Sequence, residues 1–194
     1  MFRSKSFSRR ALLADAGKLS LSAGAVALLA GNDALANEMG AKASKDTDIL
    51  NIALALEHEA IAAYQIGAAS GLLAKEVLPV AVSFQGHHKA HRDALAATVR
   101  KLGGTPAMEQ SMDAYLKSSK LNVAAITSQG DVLALAQRLE LGAANAYLGV
   151  IPAFRDRELA KIAGRLAADE TMHYTALTQA LGGKLPSGPL SFGG

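Results

Sequence analysis

The fold of this chain is predicted from four short stretches: EHEAIAAY at 57–64, HKAHRDAL at 88–95, ELGAANAY at 140–147 and ETMHYTAL at 170–177. The first and third share a Glu and a Tyr at an offset of 83 residues, and the second and fourth share a His at an offset of 82. An internal repeat of this kind indicates one structural unit that is used twice. Each unit carries a Glu in its first half and two metal-ligand side chains, three residues apart, in its second half.

The residues around these motifs have the periodicity of amphipathic helices. Apolar side chains recur every three or four positions, which predicts four long helices at 46–72, 79–102, 131–151 and 156–182. Their expected helix-start residues are Asp46 or Thr47, Pro79, Asp131 and Asp156.

The lengths of the connections predict how these helices are arranged. Two connections are short, so the first two and the last two helices should form antiparallel hairpins. The link from Gly103 to Gly130 is long, with a short helix expected at 108–116, and it can cross the bundle from end to end. We therefore predict an all-α four-helix bundle of two antiparallel hairpins joined by a long crossover.

Each apolar stripe is interrupted by side chains that bind metals. These are Glu57, His88, His91, Glu140, Glu170 and His173. Burying an unpaired carboxylate is costly, and the stripes carry no Lys or Arg to compensate it. A divalent metal ion near the middle of the bundle would balance these charges.

The motifs resemble those of the ferritin-like superfamily of carboxylate-bridged di-metal proteins, which includes bacterioferritins, rubrerythrins and manganese catalases. The family pattern is Glu, Glu-x-x-His, Glu, Glu-x-x-His, and the resemblance covers about residues 46–182. It implies that Glu57 and Glu140 are the single-Glu ligands and that Glu170 and His173 form a complete pair. It also implies one or two transition-metal ions, iron before manganese or zinc, that react with oxygen or peroxide.

The sequence departs from this family pattern at His88, where a Glu is expected next to His91. Pairing Gln85 with His88 is the alternative, but it moves the site off the apolar stripe and breaks the 82-residue offset. With three carboxylates instead of four, we expect a weaker second metal position or a mononuclear site. His87 lies one residue from the stripe, and we expect it at the rim of the site or behind the ligands as a supporting group.

Tyr64 and Tyr147 each follow a Glu of the repeat by seven residues. They could hydrogen-bond the carboxylates of the metal site. The alternative is that they are ordinary aromatic residues at helix interfaces.

The N-terminus resembles a twin-arginine export signal. It has Arg9 and Arg10 in a basic start, an apolar stretch from Leu19 to Ala30, and Ala34-Leu35-Ala36 as a cleavage pattern. We predict a signal at 1–36, a bundle at 37–183 and an irregular tail at 184–194, in a periplasmic or secreted bacterial protein exported by the twin-arginine machinery. An ordinary secretory signal and a retained amphipathic helix are the alternatives.

The composition excludes several classes of function. The 194 residues include no Cys, which rules out disulfides and thiolate chemistry. The net charge of +3 lies within residues 1–36, because the remainder has 15 basic and 15 acidic residues, so a nucleic-acid partner is not expected. No apolar run is long enough for a stable membrane span after cleavage.

Three functions are compatible with these features. The first is a metal-dependent oxidoreductase that acts on oxygen or peroxide. The second is a non-catalytic protein that buffers or stores metal, which for storage requires a homo-oligomer. The third is a structural or stress-related ferritin-like domain whose metal site is degenerate.

Overall fold

The computed structural model describes residues 46–192, and every regular element within them is helical. The long helices are α1 (Asp46–Ala69), α2 (Leu78–Lys101), α4 (Gln129–Val150) and α5 (Arg157–Ala180). The short helix α3 (Met112–Leu116) and two 3₁₀ turns, Val123–Ala125 and Ile151–Ala153, lie in the connections. The predicted export signal, with Arg9 and Arg10, lies outside the described residues.

The four long helices confirm the prediction from periodicity, and local chemistry explains where α2 starts and stops and where α5 starts. Pro79 occupies the first turn of α2, where its missing N–H costs nothing. The chain leaves α2 through Gly103, whose φ of 79° favours glycine. Asp156 caps α5 by accepting a hydrogen bond from the backbone N–H of Glu158 at 2.8 Å.

Two local expectations are corrected. Ser128, not Asp131, is the N-cap of α4, and Asp131 serves as the third helical residue of a capping box that bonds back to Ser128. The short helix in the link begins at Met112 rather than at 108, because Ser111 caps it, and Met108 is 84% exposed. Asp46 begins α1, and its carboxylate accepts hydrogen bonds from the backbone N–H groups of Arg155 and Asp156.

The helices pack as two hairpins, α1 with α2 and α4 with α5, and α1 lies against α4. The long link from α2 to α4 is fastened to α1 by Asn51, whose side-chain amide bonds the backbone of Thr105 and Ala107 at 3.0 and 2.8 Å. Between α2 and α5, direct backbone contact is slight among the described residues. The size of the side chains on α2 and α5 therefore determines whether the space between these two helices is filled.

The core is divided along the bundle axis. One cluster, which includes Leu54, Val99 and Leu166, fills one end of the bundle. A smaller one, with Leu133 and Leu177, lies toward the other end. The buried Glu and His residues of the four helices occupy the level between these clusters. Within residues 46–192, no helix is long and apolar enough to cross a membrane.

Candidate metal centre

The six predicted ligand residues converge at one level of the bundle. Each long helix contributes one or two of them, and the three-residue spacing on α2 and α5 places both members of a pair on one helix face. All six are buried, with exposed fractions of 0% to 8%: Glu57, His88, His91, Glu140, Glu170 and His173. The protein thus buries three carboxyl groups and three imidazoles together without a Lys or Arg partner among the ion pairs of this cluster.

These residues form two groups of four that could each hold a metal ion. One group is Glu57, His88, His91 and Glu170, and the other is His88, Glu140, Glu170 and His173. Within each group the ligand atoms lie within 4.8 Å of one another. The two groups share His88 and Glu170, so Glu170 is the only carboxylate common to both.

His88 occupies the centre of the cluster and contacts both halves. Its Nδ1 lies 2.8 Å from Oε2 of Glu57, and its Nε2 lies 3.1 Å from Oε1 of Glu140. Burial disfavours the charged imidazole, but hydrogen bonds to Glu140 and Glu57 raise its pKa well above the ordinary value. Without a metal, His88 therefore acts as the cation that neutralises the carboxylates around it.

Two polar atoms in this cluster are buried without a hydrogen-bond partner. They are Nδ1 of His91 and Oε1 of Glu170, which face each other at 3.3 Å. Buried polar atoms are nearly always satisfied in native proteins. A nitrogen and a carboxylate oxygen that converge in this way are suitable ligands for a transition-metal ion, so the residues present fit the metal that the motifs predict.

Each of the two tyrosines donates a hydrogen bond to a carboxylate of the opposite hairpin. Tyr64 of the first hairpin donates a hydrogen bond to Glu140 of the second, and Tyr147 of the second donates to Glu57 of the first. Burial, together with the adjacent carboxylates, raises the pKa of both phenols far above the ordinary value. Both tyrosines therefore stay protonated and fix the orientation of the carboxylates.

The outward-facing nitrogens of His91 and His173 also have partners. Nε2 of His91 lies 3.2 Å from Oδ2 of Asp169, and Nε2 of His173 lies 2.9 Å from Nδ1 of His87. Partners of this kind fix the tautomer and orientation of a metal-binding imidazole. The sequence analysis predicted His87 at the rim of the site but did not predict a role for Asp169. Asp169 nevertheless corresponds to His87 at the 82-residue offset that relates the ligands of α2 and α5.

Gln85 does not take part in the cluster. Its amide nitrogen donates to the carbonyl of Ile61 at 3.1 Å and to Gln65 at 3.2 Å, and its oxygen accepts from Lys89 at 2.8 Å. The amide is therefore fully used elsewhere. Of the two alternative pairings on α2, the structure brings His88 and His91 to the centre.

In the metal-free protein, the pKa values of the buried carboxyl groups shift in opposite directions. Burial opposes the ionisation of Glu57, yet its hydrogen bond with His88 and the imidazole of His91, 3.5 Å away, hold its pKa below the ordinary value. Burial dominates at Glu170 and raises its pKa. Burial alone would lower the pKa of the imidazoles. The adjacent carboxylates outweigh this effect and raise the pKa of His91 to about 10 and that of His173 to about 8.

Comparison with known proteins supports the fold and identifies the family. No curated protein matches the chain. The crystal structure of a conserved hypothetical protein from Mycobacterium tuberculosis shares the fold, with a TM-score of 0.60 and 22% identity over 73% of this chain and 94% of that one. The model of the ferritin-like domain family matches residues 45–183, which span the whole bundle. The chain therefore belongs to the ferritin-like domain family.

Proposed function

We propose that this chain is an exported protein that binds one or two transition-metal ions at the six-residue centre and uses them in a redox reaction with oxygen or peroxide. The observation that carries the proposal is the pair of buried four-residue groups, with the unpartnered Nδ1 of His91 in the first group and the unpartnered Oε1 of Glu170, which both groups share. Iron is the first candidate, with manganese or zinc as alternatives, because mixed imidazole and carboxylate ligands favour transition metals over Mg²⁺ or Ca²⁺.

The donor set favours two unequal positions. A neutral imidazole offers one lone pair, at Nδ1 or at Nε2, so His88 can serve only one of the two groups at a time. Its Nδ1 faces Glu57 and its Nε2 faces Glu140. Whichever group lacks His88 retains three ligands, and three carboxylates leave two divalent ions with an uncompensated positive charge.

The group around His91 is the better candidate for the first ion. Asp169 accepts from the outer nitrogen of His91, which strengthens that imidazole as a ligand, whereas His173 has only the imidazole of His87 behind it. We infer that Glu57, His88, His91 and Glu170 hold the first ion. Glu140, Glu170 and His173 are left for a second ion.

The chain's own residues prepare the centre for this role. Tyr64 and Tyr147 hold Glu140 and Glu57 in position through their hydrogen bonds. Because the imidazoles are protonated in the metal-free cluster, metal binding has to displace protons from them. A bound iron or manganese ion would supply the redox chemistry, and the tyrosine phenols are placed to keep the carboxylates ionised.

Metal content tests the proposal directly. The protein is purified from a bacterial host without chelators and analysed by mass spectrometry, beside a Glu170→Ala, His173→Ala double variant. About one or two equivalents of iron, manganese or zinc, lost in the variant, are expected from the ligand count. Less than about a tenth of an equivalent, even after reconstitution, would leave only a structural bundle. Oxygen consumption and peroxide turnover then separate an oxidoreductase from a metal-buffering protein.

Export rests on the N-terminal sequence alone and has its own test. Replacing Arg9 and Arg10 with Lys should retain the precursor in the cytoplasm if the twin-arginine route is used. Mass spectrometry of the exported wild-type chain should find Asn37 as the first residue. Unchanged export of the variant would favour an ordinary secretory signal.

A further inference from the structure

A cavity of about 270 Å³ lies beside the candidate metal centre, in the half of the bundle where α1 ends and α2 begins. Its lining is apolar except for Glu76 and the phenol of Tyr64. Small side chains account for much of the space, among them Ala63, Ala136 and Ala176.

The cavity has a closed floor and an open mouth. Ala63, Tyr64, Leu133 and Ala136 in its floor are 6% to 8% exposed. Its back wall is closed at Gly67, where α1 approaches α4 so closely that a Cβ atom would lie 2.8 Å from Cγ1 of Val132. The mouth opens between α2 and α5, where direct backbone contact is slight in the described part of the chain. Its lining there is exposed and consists of Glu76, Val80, Ala176 and Ala180.

Two lining residues, Tyr64 and Phe84, connect the cavity to the metal centre. Tyr64 points its hydroxyl at Glu140, and the ring of Phe84 stacks on His173 with centroids 4.1 Å apart. Tyr64 and Phe84 also contact each other edge to face at 6.3 Å. A molecule in the cavity would therefore lie one side chain away from two candidate ligands.

We propose that this cavity binds an uncharged small molecule with an apolar body, held against Tyr64 and Phe84. An engineered apolar cavity of about 150 Å³ holds one benzene, so the larger volume here suits a medium-length alkyl chain or a bicyclic ring. Among the described residues, 46–192, the lining contains no Lys or Arg, and Glu76 is its one charged group. Because a carboxylate would meet Glu76 at the mouth, the site selects a neutral head group over an anionic one.

The charge selectivity can be tested with two probes of equal length, 1-octanol and octanoate, titrated calorimetrically into the full chain at pH 7. We expect saturable binding of 1-octanol with a Kd below about 1 mM and binding of octanoate at least about tenfold weaker. A Glu76→Lys variant should narrow this difference by improving octanoate binding. Absence of saturable 1-octanol binding, or equal affinity of the wild type for both probes, overturns the proposal.

The location of the binding site can be tested with a matched pair of variants on α5. Ala176→Leu adds bulk at the cavity mouth, whereas Ala168→Leu adds the same bulk at an exposed position of α5 that does not line the cavity. The first should weaken 1-octanol binding about tenfold or more, and the second should leave it unchanged. Equal effects of both variants would place the binding elsewhere.

Metal binding and cavity binding can fail separately. The lining includes none of the six candidate ligands, so chelator-treated protein should bind 1-octanol as the untreated protein does. A protein that binds 1-octanol but no metal would refute the proposed function and leave this inference intact. A protein that binds metal but no 1-octanol would refute this inference and leave the proposed function intact.

Discussion

Replacing His88 with Glu should have opposite effects on the metal-free and metal-bound protein. In the metal-free protein the imidazole lies 2.8 Å from Glu57, 3.1 Å from Glu140 and 3.8 Å from Glu170, so the variant puts a fourth carboxyl group among three others. Breaking a buried ion pair typically costs about 3–5 kcal/mol. For a domain of this size that corresponds to a decrease in Tm of about 6–20 °C.

With metal bound, the same substitution supplies the missing carboxylate. Four carboxylates neutralise two divalent ions, and two of the four can then be shared between the ions. A full charge about 4 Å away contributes up to about 4 kcal/mol at an effective dielectric constant of about 20, before desolvation. We therefore expect the second ion to bind at least about tenfold more tightly in the variant.

Anaerobic calorimetric titration with Fe²⁺ measures the binding, and thermal unfolding of chelator-treated protein measures the stability. His88→Gln is the matched control, because it removes the central cation without adding a carboxylate. It should be destabilised like His88→Glu but gain no second ion. The reasoning is refuted if the wild type already binds two ions equally, or if His88→Glu binds no more iron than His88→Gln.

Three further predictions concern the groups around the ligands. Tyr147→Phe leaves the buried Glu57 without its phenol donor and should lower the free energy of unfolding of the metal-free protein by about 1.5–3 kcal/mol, measured by urea denaturation. The raised pKa values of His91, about 10, and His173, about 8, stabilise the metal-free fold fully below the unfolded pKa near 6.5. Their contribution is lost as the pH rises from there to about 10, so Tm should fall across this range, and a Tm that rises instead would contradict these protonation states. Asp169→Asn should weaken binding of the first ion about 10- to 100-fold in a metal titration, with an unchanged affinity ruling out its support of His91.

The sequence was sufficient for the fold because the information needed was local and repeated. Four amphipathic periods, with Pro79 and Asp156 at two of the helix starts, predicted helices that the structure confirms to within about three residues at each end. The capping of α4 was missed because Ser128 and Asp131 are both good N-cap residues, and only the structure shows that they act together. The convergence of the ligands followed from the same period, since each lies on an apolar stripe.

The surroundings of the ligands were harder to predict. Asp169 is charged and half-exposed, and such residues usually face solvent, so nothing in its own pattern marks it as the partner of His91. The crosswise pairing of Tyr64 with Glu140 depends on how the two hairpins face each other, which periodicity within one helix does not specify. The cavity depends on which alanines meet across four helices, and their abundance alone does not reveal a space between them.

The two hairpins match at Glu57 and Glu140, and again at His91 and His173, but among the residues in and around the metal centre they differ at two adjacent positions. The first hairpin has His87 and His88 where the second has Asp169 and Glu170. At both positions the first hairpin carries an imidazole and the second a carboxylate. At these two positions the first hairpin thus supplies imidazoles, and the second supplies the shared carboxylate and the support for His91. Because the support of one hairpin acts on the histidine of the other, an ion held between them depends on both hairpins being docked. We therefore expect the first ion to stabilise the packing of the hairpins against each other, and a second ion to bind only after this interface has formed.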